Sequence, residues 1–234
     1  MKGKGPMGWK LLFLIIGCIF IFAPSVLAYD LGEYFPLGQQ DTWKYKVTKD
    51  EAASEYVLKI DGKEMIGNTE TAKMFIFAEN YQGIAIDSEG VKEYKNADSN
   101  EYELFNPPKI MFPQMEVGQA KSYSVNFTIY STAGENLGEG SEEGHVTLES
   151  IESVEVPAGK FDDCLKFILS SDWKLAGGNS EKKNYTIWLA PNIGKVKESF
   201  FSVEYDAATK EEEISIEVRE LISAVIGGKN IGIQ

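Results

Sequence analysis

Apolar and polar side chains alternate at every second position over much of this chain. Trp43, Tyr45 and Val47 share one side of such a ladder, with Lys44 and Lys46 on the other. Tyr123, Val125, Phe127 and Ile129 alternate with Ser122, Ser124, Asn126 and Thr128, and Ile214, Ile216 and Val218 with Ser215, Glu217 and Arg219. A period of two is the mark of strands with one wet face. Beyond the first 28 residues, no window of a dozen residues carries the i, i+3, i+4, i+7 stripe of an amphipathic helix. The pattern predicts an all-β domain, a single antiparallel β-barrel or strongly curved open sheet of about ten or eleven strands.

Turn chemistry punctuates the apolar stretches. Asp61-Gly62, Asp87-Ser88-Glu89-Gly90 and Pro191-Asn192-Ile193-Gly194 read as hairpin connections. The glycine-rich segment 132–144 reads as a long mobile loop. Asn106-Pro107-Pro108 reads as a stiff connector, because proline cannot donate to a ladder.

The two halves echo each other. Gly38-Gln39 is followed by Trp43, Tyr45 and Val47 at the offsets at which Gly118-Gln119 is followed by Tyr123, Val125 and Phe127. Phe35-Pro36 and Phe112-Pro113 precede them, and Gly90-Val91-Lys92-Glu93 later matches Gly194-Lys195-Val196-Lys197-Glu198. Two related β-meanders, about residues 29–110 and 111–226, would account for this, although strand–turn–strand sequences resemble one another in any case.

The first 28 residues break the pattern. Lys2, Lys4 and Lys10 precede the apolar run 11–23, Pro24 interrupts it, and Val26-Leu27-Ala28 stands before Tyr29. This is the order of a cleavable secretory signal, and the run is shorter than the ~20 residues a spanning helix needs. The expected organisation is a signal peptide over 1–28, a β domain over 29–226 and a flexible tail over 227–234. Ile15-Ile16-Gly17-Cys18 offers a competing reading as a lipobox, in which Cys18 carries a lipid anchor. Either way the protein is expected to be exported, to the periplasm or the cell envelope, and to touch membrane only through its leader or that anchor.

Charge narrows the partners. The chain has 23 basic and 36 acidic residues; without Lys2, Lys4 and Lys10 the balance is 20 to 36, a net of −16. Arg219 is the only arginine. Nucleic-acid and anionic-lipid surfaces select for basic faces, so neither is an expected partner. Cys164 is the only cysteine after residue 28, which leaves no internal disulfide.

Candidate chemistry is sparse. There is no G-x-S-x-G elbow and no phosphate-cradling loop. His145 is the only histidine, so Cys164–His145 is the one cysteine–histidine dyad the composition allows. Asp162 and Asp163 beside Cys164 should raise its pKa, and its place in an apolar run favours a buried structural thiol. Glu143 and His145, two apart, would share a strand face, but zinc asks for three or four ligands. The Glu211-Glu212-Glu213 run and the Asp87–Glu89 turn lack the spacing of an EF-hand loop. No catalytic, cofactor-binding or metal site is expected, no cofactor is implied, and no ligand-binding residue can be nominated. Trp43, Tyr45, Trp173, Trp188, Phe200 and Phe201 suit a packed core and equally the wall of an apolar cleft.

Val154-Glu155-Val156-Pro157-Ala158-Gly159-Lys160-Phe161-Asp162-Asp163-Cys164-Leu165-Lys166, with Trp188-Leu189-Ala190-Pro191-Asn192-Ile193-Gly194-Lys195-Val196-Lys197-Glu198, resembles the V-x-V-P-A-G-x-F-x-x-C and W-x-A-P-x-x-G-x-V-K pattern of exported bacterial proteins of the Domain of Unknown Function 3108-like group. Phe35-Pro36-Leu37 and Trp43-Lys44-Tyr45 resemble that group's start. The resemblance implies an envelope protein built as a barrel or curved sheet, and no established activity. By analogy of fold with periplasmic lipoprotein carriers, such a sheet can shelter acyl chains. The expectation is a non-catalytic binding or interaction module, with a cleft for an apolar, lipid-like ligand or a surface for an envelope protein. Alternatives from other classes are a hydrolase using scattered carboxylates and a structural subunit of an envelope assembly.

Overall fold

Side chains that alternate in character pair laterally, and here the pairing runs until the sheet meets itself. The computed structural model describes residues 29–50, 52–77 and 79–232. The leader 1–28, with Cys18, and the last two residues of the expected tail lie outside the described residues. Twelve antiparallel strands follow one another in chain order: β1 Thr42–Lys49, β2 Ala52–Ile66, β3 Thr69–Phe77, β4 Asn80–Asp87, β5 Gly90–Ala97, β6 Glu101–Pro113, β7 Ala120–Ser131, β8 Asn136–Val156, β9 Gly159–Leu175, β10 Ser180–Ala190, β11 Gly194–Asp206 and β12 Glu211–Ile226. β12 then pairs with β1, from Thr42↔Val225 to Lys49↔Glu217, and closes the barrel. A short β13, Lys229–Gly232, pairs with Ser223–Ile226 of β12, beyond the point where β11 leaves that edge. The expected tail from Gly227 on thus contains a strand.

The barrel is the closed form of the expected all-β architecture, with more strands than the sequence pattern counts. Asp61-Gly62 is no hairpin: it lies inside β2, at a register shift between Ile60 and Lys63. The Gln39 side chain pins that bulge, accepting from Gly62 N at 2.8 Å, and Gln40 Nε2 donates to Asp61 at 2.9 Å. The turn comes at 67–68 instead. Asp87–Gly90 and Pro191–Gly194 are hairpin connections as expected, and Pro157-Ala158 turns β8 into β9.

The glycine-rich segment 132–144 is also corrected. Only its first residues turn; from Asn136 it is strand β8, paired to β7 and β9. Its glycines make room for rings. A Cβ on Gly140 would stand 2.3 Å from the Phe127 ring, and one on Gly144 2.7 Å from the Tyr123 ring. A large aromatic thus covers a bare backbone on the neighbouring strand, which keeps a glycine-bearing strand ordered. Asn106-Pro107-Pro108 lies within β6 rather than between strands; both ladders of β6 skip residues 107 and 108, whose nitrogens cannot donate.

One end of the barrel is plugged. Asp30 caps the short helix α1, Leu31–Tyr34, by accepting from Gly32 N at 2.8 Å. Leu31, Tyr34 and Phe35 are buried beneath it. Phe35 meets Phe112 at 5.6 Å between ring centres, and Phe112 meets Phe167 at 5.1 Å. Trp43 Nε1 donates to Ile193 O at 2.6 Å, and Asn192 N to Glu33 O at 2.6 Å, fastening the plug to the β10–β11 turn. A smaller cluster of Phe105, Val125, Phe127 and Ile129 packs on Trp173 and Leu175 on the inner side of β6–β9.

β12 presents its faces the reverse of what its apolar residues suggest. Ile214 and Ile216 are 60% and 53% exposed, while Glu217 and Arg219 turn inward. Truncating Phe112 to alanine is expected to cost about 3–5 kcal/mol, as for a large ring in a packed core. Ile216→Ser is expected to stay within about 0.5 kcal/mol, as for a surface position. Urea-unfolding midpoints of the two variants check both.

Candidate functional site

The inner wall carries charge where alternation alone would put apolar groups. Glu93 on β5, Glu142 on β8 and Glu198 on β11 are 2%, 2% and 3% exposed. A buried carboxylate is costly unless paired and hydrogen-bonded, and each has partners. Lys109 Nζ lies 3.0 Å from Glu142 Oε2 and 3.7 Å from Glu93 Oε2. Tyr123 Oη donates to Glu142 Oε1 at 2.6 Å, and Gln82 Nε2 to Glu93 Oε1 at 2.8 Å. On the opposite wall, Glu198 accepts from Lys195 Nζ at 2.5 Å and from Arg219 Nη1 at 2.7 Å. Arg219 also donates to Glu217 at 2.8 and 3.1 Å and lies over the Tyr56 ring, which stacks on Tyr45.

Strand register fixes these positions. Ile84, Glu93 and Lys109 stand side by side on β4, β5 and β6; Ile187, Glu198 and Arg219 stand side by side on β10, β11 and β12. The two rows are six strands apart in a twelve-strand barrel, so they face each other across the interior.

Between them is a cavity of about 220 Å³. Its apolar lining includes Trp43, Leu58, Met74, Ile76, Met111 and Ile187; its polar lining is Gln82, Glu93, Lys109, Lys195, Glu198 and Arg219. Phe35 and Pro36 border it from the plug. Electrostatics differ between the walls. Burial raises the Glu93 pKa, and the Glu142 charge adds to that, against Lys109. Burial acts the same way on Glu198, but Lys195 and Arg219 outweigh it and hold the carboxyl below its usual range. Glu142 is also lowered, because Lys109 and the Tyr123 hydroxyl overcome its burial. For Lys109, burial is outweighed by the two carboxylates, and its pKa rises.

The residues the sequence singled out lie elsewhere. Cys164 is wholly buried near the plugged end, and burial pushes its thiol up to about 11, with Asp162 and Asp163 adding to the effect. His145 pairs with Ser170 on β9, six residues from Cys164, or roughly 20 Å at ~3.3 Å per residue, so no dyad forms. His145 is on the outer wall, where its Nδ1 lies 2.8 Å from Ser122 Oγ in a groove of about 380 Å³ that Glu143 and Asp172 also border. Both members of that pair are exposed, which leaves the hydroxyl to water rather than to a shaped pocket with oxyanion donors. Among the described residues no three His, Cys, Asp or Glu side chains converge as a metal site needs. Of the aromatics proposed for a cleft, Trp43 and Tyr45 line the cavity; Phe201 and Trp188 do not.

The interior charges were overlooked although the sequence marks them. Glu93 is in phase with buried Val91, Glu198 with Val196 and Lys109 with Met111. A charged residue on the apolar phase of a strand is the signal, and Arg219, on the polar phase of β12, does not carry it.

A model of the DUF3108-like family matches residues 39–202, a span that holds every charged cavity residue except Arg219. No curated protein matches the chain. Among solved structures, a candidate lipoprotein of Parabacteroides distasonis is 14% identical, with a TM-score of 0.42 over 82% of this chain and 98% of its own. A candidate exported protein with a YmcC-like fold from Bacteroides fragilis is 16% identical, with a TM-score of 0.43 over 80% and 96%. At that level of likeness neither says what this chain does.

Glu198→Ala, which leaves Lys195 and Arg219 unpaired, is expected to cost about 3–5 kcal/mol. Glu93→Gln is expected to stabilise the protein at pH 7. A raised folded pKa means that the stability tied to protonated Glu93 is complete below its unfolded value near ~4.3 and is lost as pH rises through the higher folded value. The advantage of the glutamine variant over wild type therefore shrinks toward pH 4. Thermal melts of both proteins between pH 4 and 8 check the sign.

Proposed function

This chain belongs to the DUF3108-like family, and we propose that it is an exported, non-catalytic binding module whose barrel holds a small ligand in the cavity between its two charged rows. One observation carries this reading: a cavity of about 220 Å³ lies inside the barrel, with an apolar lining and convergent polar groups. That combination is the usual anatomy of a ligand site. The size refines the expected lipid-like guest. It lies between the ~150 Å³ that admits benzene and the ~300 Å³ at which drug-sized sites begin, so one ring or one short chain fits and a two-chain lipid does not. Export is supported by the basic, apolar and V-x-A order of residues 1–28; the lipobox around Cys18 supports an anchored form of the same protein.

A hydrolase is the second reading, because Glu93 and Glu198 line one cavity with pKa values displaced in opposite directions. Binding is favoured over it because both oxygens of Glu198 are held by cations, which stabilises the charge a general base would have to give up. Hydrolysis of chromogenic esters or glycosides that Glu93→Gln abolishes would move the assignment to that class.

Hexan-1-ol is a suitable neutral probe. It is expected to bind saturably at one site and to change the emission of Trp43, while Ile187→Trp fills the space and abolishes binding. Overpacking costs about 1–3 kcal/mol, so the folded state of that variant is checked by its melt. Unchanged hexanol binding in a folded Ile187→Trp protein would contradict the cavity as the site.

A further inference from the structure

We infer that the cavity selects a small organic cation, an ammonium group on a short apolar body, with Glu93 Oε2 as its counter-ion. This rests on the reading of the cavity as a ligand site and names the chemistry of its guest.

The charged groups that line the cavity are Glu93, Glu198, Lys109, Lys195 and Arg219. With Glu142 and Glu217, which brace Lys109 and Arg219 from behind, the cluster holds four acids and three bases. The imbalance is local to one wall. Glu198 has two cations within 2.7 Å, and Glu142 has Lys109 and Tyr123. Glu93 has the neutral Gln82 amide on one oxygen, and its nearest cation, Lys109, stands 3.7 Å from the other while bonding Glu142 instead. An ammonium beside Glu93 Oε2 would supply the missing positive charge at the carboxylate that most lacks one.

The surroundings favour the same sign. Trp43, Tyr45 and Tyr185 line the cavity with rings, and Lys195 already lies over that of Tyr45, 5.9 Å from its centre. Toward the end opposite α1, the half-buried Glu103, Glu181 and Lys183 are again an excess of acid, and the β11–β12 hairpin there carries Glu204, Asp206, Glu211, Glu212 and Glu213 against Lys210. A field of that sign concentrates cations and repels anions. Leu58, Met74, Ile76 and Ile187 would receive the apolar body.

Three probes with one six-carbon body separate the possibilities: hexylammonium, hexan-1-ol and hexanoate, titrated calorimetrically into the purified protein. The expected order is hexylammonium at least tenfold tighter than hexanol, with hexanoate weaker than either, and one equivalent of ammonium bound that hexanol displaces. Glu93→Gln is expected to reduce hexylammonium to the level of hexanol, and the thermal melt of the variant reports that it is folded. Equal affinities for hexanol and hexylammonium, or a tenfold preference that survives Glu93→Gln, overturn the cation assignment and leave the cavity standing as an apolar site. Several equivalents of hexylammonium that hexanol does not displace place the cation on the acidic surface and overturn it too. Binding of none of the three removes the assignment together with the cavity reading.

Discussion

Closure of β12 onto β1 is the constraint from which the rest of this molecule follows. A twelve-strand meander that meets itself has an inside from which bulk water is largely removed, and every inward side chain must then be packed, paired or left lining space. At the α1 end packing wins, with Phe35, Phe112 and Phe167 in contact. At mid-height pairing wins, with buried glutamates held by Lys109, Lys195 and Arg219. The space left between the two is the cavity.

Buried ion pairs are a poor way to gain stability, since a close-packed apolar layer of the same volume would serve as well or better. Their presence here is better understood through what they surround. Two rows that face each other bring charge to a mainly apolar cavity, and each is fixed by register rather than by flexible reach. Each row carries an Ile, a Glu and a base, and the two lie six strands apart.

Much of the architecture could be read from the chain. Trp43-Tyr45 and Tyr123-Val125-Phe127 are inward-facing strand residues, and Pro157-Ala158 and Pro191–Gly194 turn where their chemistry says. The failures have physical causes. Gly140 and Gly144 suggested a loop because a glycine's partner ring, on another strand, is invisible locally. Ile214 and Ile216 suggested a core face on β12, whereas the barrel turns Glu217 and Arg219 inward to meet Glu198 and Tyr56. The site was missed for the same reason: pairing across strands decides whether a charge on the apolar phase is an error or a partner. Cys164 and His145 drew notice for being rare, and rarity says nothing about neighbours.

The central claim is that the two rows are buried in one cavity with unlike electrostatics. Carboxyl carbon-13 resonances of Glu93 and Glu198, assigned by Glu93→Gln and Glu198→Gln and followed from pH 2 to 9, test it most directly. The account predicts that Glu93 titrates above the ordinary glutamate value of about 4.3 and Glu198 below it. Two curves that coincide at the ordinary value would mean that both carboxyls meet water, and would contradict the buried rows.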